Sequence, residues 1–355
     1  MTATDSGKEW PLKRLMTEVV GSGHKSADDM TRPQAREAFD RILSGDPDPT
    51  TLGAFWLANR WKRNTPEELA AFVDVMRERS VETGVPEADP VDCGANYDGK
   101  DRTALLGVAA GLVAAAAGTP VVVHSGDRVP TQKNDAYRHV LNALGVRTDL
   151  EPTESADMVD DVGFGFYYQP SFNPGVDGLL DRRDQMGVRT FVNTIETLAN
   201  PSGASVHLGS FYHLAFAKRM TETLTTCETQ DFDRVLFFQG LEGYDDVRPG
   251  ATTVAEWSSA GGLDDYTIET AEYGMDFTEE DELAVGDVAE DSAAITEGVL
   301  AGERTDQFAD AVALNAALRI YARGDVDSLD EGLDSARAVL DDGSALDRLD
   351  SLRDF

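Results

Sequence analysis

Asp245 and Asp246 stand side by side in FQGLEGYDDVRPG, just beyond the apolar run RVLFF. Two hard carboxylates in a glycine-bearing loop at a strand end suit Mg2+, which takes carboxylate oxygens, water and a substrate's own phosphates. In so acidic a chain, adjacent aspartates are also ordinary on a solvated face. A second group lies in VDCGANYDGKDRTALLGVAAGLVAAAAGTPVVVHSGDR. There Gly99, Lys100, Arg102 and Thr103 place a permissive backbone, two cations and a hydroxyl ahead of a helix of small residues, a setting for an anion. His124 closes a short apolar strand, where a ring nitrogen can meet a substrate or simply be hydrogen-bonded, and Gly126, Asp127 and Arg128 follow it. Thr131 and Lys133 come next in VPTQKN. Arg183, in DRRD, carries a guanidinium able to bond both oxygens of a carboxylate; pairing with its acidic neighbours is the plainer alternative.

The elements that must hold these residues are legible as two blocks. Residues from about 10 to 85 are helical by periodicity: MTRPQAREAFDRILSG with Thr31 as N-cap, TTLGAFWLANRWKRN, and TPEELAAFVDVMRER with Thr65 as N-cap and Pro66 at its first position. The linker VETGVPEADP leaves this block. From about 91 the pattern alternates. PVVVHSG, VGFGFYYQP, VRTFVN and RVLFFQGLEG read as strands, and DAYRHVLNALGV and FYHLAFAKRMTETL as helices. Such alternation predicts an α/β domain with a mostly parallel central sheet and flanking helices. A polar β-like part near 250–285 and helices over 288–301, 305–323 and 329–340 complete the chain. The expected division is a small helical domain over 1–88, with part of 170–190 completing it, and an α/β domain over 89–355.

Composition narrows the function classes. The 355 residues carry 65 acids against 31 bases, a formal charge of −34, and only seven of the bases are lysines. The acids are dispersed rather than gathered in a patch. That favours a protein adapted to a salt-rich cytoplasm, where molar salt shortens the screening length to about 3 Å, over one built to bind an acidic partner. The same field argues against nucleic acid as a partner, because that binding rests on basic stripes. The longest apolar stretch, GLVAAAAGTPVVV, is too short and too interrupted to span a bilayer, and the polar opening MTATDSGKEW lacks a leader pattern, so a cytoplasmic protein is expected. Two cysteines, Cys93 and Cys227, are too few for a disulfide framework or a zinc site.

Four stretches resemble the anthranilate phosphoribosyltransferases and the related pyrimidine nucleoside phosphorylases. They are the N-terminal helices from MTRPQAREAFDRILSG to FVDVMRE, AAGLVAAAAGTPVVVHSGDR, RRDQMGVRTFVNTIETLANPSGA, and FQGLEGYDDVRPGATTVAEW, in family order across roughly residues 20–260. The resemblance implies a cleft between a helical and an α/β domain, a homodimer, Mg2+ as cofactor, and transfer of a phosphoribosyl group from phosphoribosyl pyrophosphate to an aromatic or nucleobase-like acceptor such as anthranilate. It assigns Asp245 and Asp246 to the metal, with Asp246 standing where the family has Glu, and Arg183 to the aromatic acid. His124, Gly126, Asp127, Arg128, Thr131 and Lys133 match the family's His-Gly-Asn-Arg turn and the polyanion contacts beyond it.

Departures from the pattern are concentrated in the phosphate grip. Ala95 to Gly99 replace Gly-Thr-Gly-Gly-Asp; Leu105, Leu106, Gly107 and Val108 replace Asn-x-Ser-Thr; Val123 replaces a lysine, and Ser125 is inserted. A rebuilt anion site at Gly99, Lys100, Arg102 and Thr103 is therefore expected. An acid at position 127 would repel a carboxylate substrate unless Arg128 or a metal neutralises it. The alternatives are a non-catalytic nucleotide- or nucleic-acid-binding relative, and a nucleoside phosphorylase using Lys100, Arg102 and Lys133 for phosphate.

Overall fold

The protein is described by a computed structural model covering residues 10–20 and 26–355; the polar opening read for a leader lies almost wholly outside these residues. The first block is helical: α1 (Leu12–Leu15), α2 (Arg32–Leu43), α3 (Pro49–Lys62) and α4 (Pro66–Arg79). Their starts follow the capping chemistry. Asp48 accepts from the N–H groups of Thr50 and Thr51, at 3.0 and 3.1 Å. Thr65 and Glu68 cap one another reciprocally, at 3.2 and 2.9 Å.

The second block begins β1 (Val91–Gly94), α5 (Gly107–Ala116), β2 (Val121–Ser125), α6 (Tyr137–Ala143), α7 (Pro152–Val162) and β3 (Phe164–Tyr168). Four short helices follow, α8 (Gln169–Phe172), α9 (Pro174–Asp177), α10 (Leu180–Met186) and α11 (Val192–Ile195), before β4 (Val206–Phe211), α12 (Leu214–Thr226) and β5 (Arg234–Gln239). The segment VRTFVN is thus not a strand. Thr190 N–H donates to Asn193 Oδ1 at 3.0 Å and Val192 N–H to Thr190 Oγ1 at 3.2 Å, so local side-chain bonds coil it into a turn and α11.

The sheet runs β3-β2-β1-β4-β5-β6-β7. Its first five strands are parallel, and β6 (Ala251–Ser258) and β7 (Gly262–Glu269) extend it antiparallel. At the free edge, β7 is largely exposed and carries Asp264, Asp265 and Glu269. The helices α13 (Val288–Leu300), α14 (Gln307–Arg323), α15 (Leu329–Asp341) and α16 (Ser344–Asp354) end the chain.

Strand alternation sends side chains to two cores. Val91, Cys93, Val121, Val123, Leu208 and Leu236 pack with α5 and α14 on one face. Val122, Val235 and Phe237 join the helical bundle and α12 on the other. On that second core Phe191 stacks on Phe72 at 4.3 Å between centroids, tying the 170–200 segment to the bundle. No helix among the described residues is long and apolar enough to cross a membrane.

Candidate functional site

A cavity of about 600 Å³ opens between the end of α3 and the carboxyl ends of β1, β4 and β5. Ligands in open parallel sheets bind at this place, outside the strand ends. One wall is apolar and aromatic: Phe211, Phe216, Met220 and Phe237. A second wall, on the α3 side, is cationic, with Arg60, Arg63 and Arg189. Gly94, from the end of β1, contributes to the floor. A Cβ there would lie 2.3 Å from the Thr197 carbonyl oxygen and 2.6 Å from Cε1 of His207, so only glycine fits.

Asp98 is the acid of the cavity wall. Its Oδ2 lies 2.6 Å from Nη2 of Arg189, and its Oδ1 accepts from Asn193 Nδ2 at 3.4 Å. Burial pushes its pKa up to about 6, against the pull of Arg189. A carboxyl poised there can hold or release a proton near neutral pH. Arg60 donates from Nη1 to the carbonyl of Arg189 at 2.9 Å, and no carboxylate lies within ion-pair distance of Arg60 or Arg63 among the described residues.

Asn96 and Asp98, from the replaced loop Ala95 to Gly99, line this cavity, but none of the residues given a metal or ligand role from the sequence does. Asp245 and Asp246 are wholly buried. Lys100 Nζ sits 2.5 Å from Asp246 Oδ2, and Arg319 Nη2 lies 2.9 Å from Asp245 Oδ2. Tyr137 also donates its hydroxyl to Asp245. The two acids are thus matched by two internal cations. One oxygen of each, Oδ1, lacks a hydrogen-bond partner, but a divalent ion there would face an ammonium and a guanidinium. The pair does not fit Mg2+, and among the described residues no group of three or more His, Cys, Asp or Glu side chains is placed to share a metal. Desolvation raises the Asp245 carboxyl to about 6, with Arg319 opposing and Asp246 adding to the shift.

The expected anion loop is filled from within. The N–H groups of Asp101, Arg102 and Thr103 point to the carboxylate of Glu242 at 3.2, 3.3 and 2.8 Å, and Thr103 Oγ1 donates to it at 2.6 Å. Gly99, at φ +77°, packs so closely on Asp135 that a Cβ would come within 2.4 Å of its carbonyl oxygen. Lys100 is committed to Asp246 and to the Ala104 carbonyl, and the exposed Arg102 reaches toward Glu242 and Glu280 at 3.8 and 4.0 Å.

The turn after β2 is likewise internally paired. His124 is fully buried, in contact with the Tyr97 hydroxyl and 3.3 Å from Asp92, which also accepts from His207 Nδ1 at 2.8 Å. Gly126 faces Gln169, whose Oε1 would be 2.7 Å from an added Cβ. Asp127 is neutralised by Arg138 and accepts a hydrogen bond from the Tyr168 hydroxyl at 2.7 Å; Arg128 pairs instead with Asp135 at 2.5 Å. Thr131 is half-buried on the same turn, and Lys133 pairs with Asp184 at 2.7 Å. Arg183 is neither solvated nor open to a ligand: buried, it grips Glu196 through two bonds of 2.7 and 2.6 Å. The phosphate set proposed for a phosphorylase is therefore not assembled, since Lys100, Arg102 and Lys133 each face a different carboxylate.

A helical bundle beside a largely parallel α/β sheet, with a cavity lined by arginines and aromatic side chains at the strand ends, is the architecture of a two-domain transferase. The chain belongs to the glycosyl transferase family: residues 18–80 match its helical bundle domain and residues 93–346 its a/b domain. Among its relatives, the anthranilate phosphoribosyltransferase of Methylobacterium radiotolerans is 32% identical over 89% of each chain. That of Natronomonas pharaonis is 31% identical over 92% of this chain and 96% of its own. The crystal structure of the Thermus thermophilus enzyme superposes with a TM-score of 0.80 at 29% identity, covering 92% of this chain and 95% of that one. The Saccharomyces cerevisiae enzyme in complex with PRPP and Mg, at 19% identity and TM-score 0.81, shares the fold.

Proposed function

We propose that this protein is a Mg2+-dependent pentosyl transferase that moves a phosphoribosyl group from phosphoribosyl pyrophosphate to the nitrogen of a flat aromatic acid, anthranilate or a close relative. The observation that carries the reading is the two-walled cavity, aromatic on the Phe211–Phe237 side and cationic on the Arg60–Arg189 side. A flat acceptor matches the first wall and a phosphorylated sugar the second. The names of the curated relatives support the same reaction.

In this reading the acceptor nitrogen forms its bond to the anomeric carbon as the bond from that carbon to the pyrophosphate oxygen breaks. The nitrogen's proton passes to the Asp98 carboxylate, whose raised pKa of about 6 suits a base near neutral pH. Aromatic side chains hold the acceptor plane and exclude water from the reacting carbon. Mg2+ would enter with the substrate and would offset the charge of the leaving pyrophosphate. The proposal includes a division of the chain near 88, a homodimer, and a cytoplasm rich in salt, in keeping with the dispersed charge of −34.

The test is turnover of phosphoribosyl pyrophosphate with anthranilate and Mg2+ in molar KCl. Release of pyrophosphate that depends on the acceptor supports the proposal. A folded protein that binds the sugar but transfers it to no aromatic amine points instead to a non-catalytic binding relative. The loop filled by Glu242 favours that second reading.

A further inference from the structure

We infer that recognition of the anionic ligand has moved across the cleft, from the loop after β1 to the C-terminal end of α3, where Arg60 and the capping residue Arg63 form the phosphate-binding pair. The inference rests on the pentosyl transferase reading for the identity of the ligand, but not for the location of the site.

The old position already contains an anion. Three consecutive backbone N–H groups and a hydroxyl converge on the Glu242 carboxylate, the kind of concave donor cluster that takes a phosphate. Burial alone would raise the Glu242 pKa, yet its bonds from Thr103 and Asp101 hold it below the usual range, so it remains charged in place. A phosphate would have to expel it, and the exposed Arg102 beside it already lies 3.8 Å from Glu242 and 4.0 Å from Glu280. Lys100 is sealed against Asp246, and Arg128 and Lys133 face Asp135 and Asp184.

The α3 arginines present the opposite situation. Both line the cavity, and among the described residues the only side-chain hydrogen bond either makes is that of Arg60 to the Arg189 carbonyl. In a chain with about two acids per base, the field repels an anion everywhere unless cations converge without their own counter-ions. Of the three arginines in the cavity, Arg189 alone is spoken for, by Asp98. Arg63 also departs from the helix at φ +65°, an uncommon conformation for a residue with a side chain, and the departure falls on the cavity wall. Two guanidinia three residues apart can embrace one phosphoryl group with several charge-assisted bonds.

The probe is inorganic pyrophosphate, titrated by calorimetry in molar KCl into the full-length chain. The wild type should bind it, and Arg60→Gln/Arg63→Gln should bind at least tenfold more weakly. Arg128→Gln/Lys133→Gln should stay within twofold of wild type. Circular dichroism on each variant separates lost binding from lost fold. If the α3 double variant is folded and binds like wild type, if the Arg128/Lys133 variant carries the loss, or if wild type binds no pyrophosphate, the inference is overturned. Pyrophosphate binding lost in the α3 variant without any pentosyl transfer by wild type would leave the pair standing and remove only the reaction.

Discussion

Nζ of Lys100 lies 2.5 Å from Oδ2 of Asp246, with both side chains fully shielded from water. This one pairing joins the loop before α5 to the loop after β5. Together with Arg319 and Asp245, it forms a neutral block of two acids and two bases below the cleft. The acids that a metal would use in an open loop thus hold the fold together.

Removing one partner should therefore cost stability. Lys100→Met leaves Asp246 charged and buried, and we expect a loss of about 3–5 kcal/mol. Adding Asp246→Leu should recover much of it. Chemical denaturation of the two variants, side by side, checks this; equal losses in single and double variants would contradict it.

Asp98 predicts a pH dependence. Its native pKa of about 6 is raised above the usual carboxylate value, so its favourable contribution is fully present below about pH 4 and is lost as pH rises through 6. Asp98→Asn, neutral at every pH, should gain on wild type by on the order of 2 kcal/mol at pH 7.5, and the gain should vanish by pH 4. Pyrophosphate affinity should likewise improve in this variant at pH 7.5, since an anionic neighbour is removed and Arg189 is released. Urea midpoints across pH 4–8 and calorimetry at pH 7.5 supply the check.

The floor of the cavity should tolerate no side chain. Gly94→Ala places a methyl group 2.3 Å from the Thr197 carbonyl oxygen, a contact that backbone must move to relieve. A loss of about 1–3 kcal/mol is expected, together with weakened ligand binding. A thermal shift in the variant, compared with Gly45→Ala at an open turn where strain at positive φ is the sole cost, isolates the steric effect.

Arg183 should behave as a structural residue. Arg183→Lys cannot reproduce the two-bond grip on Glu196, so stability should fall by about 1–3 kcal/mol. Acceptor affinity, measured on folded protein, should stay unchanged; a selective loss of anthranilate binding would restore Arg183 to the ligand.

The scaffold was legible in the sequence where short-range chemistry decides it. Thr65, Pro66 and Glu68 announce α4, and the apolar run Val121–Val123 announces β2. β4 has no clear sequence signal because His207, Gly209 and Ser210 interrupt its apolar pattern, although His207 is fully buried against Asp92. The site was legible only by residue type. Lys100 and Asp246 are 146 positions apart, and nothing local indicates that each satisfies the other. Arg60 and Arg63 carry no local signal for a related reason: cations at a helix C-terminus are ordinary helix-end chemistry, and only the fold brings these two to a cavity.

The free edge of the sheet has its own consequence. β7 ends the seven-strand order with Asp264, Asp265 and Glu269 on its exposed strand. Another copy adding to this edge would bring the same acids into register across a hydrogen-bonded ladder, where like charges oppose pairing. At low ionic strength, where these charges are not screened, crowding should therefore not seed a continuous sheet between molecules, whereas molar salt weakens that barrier.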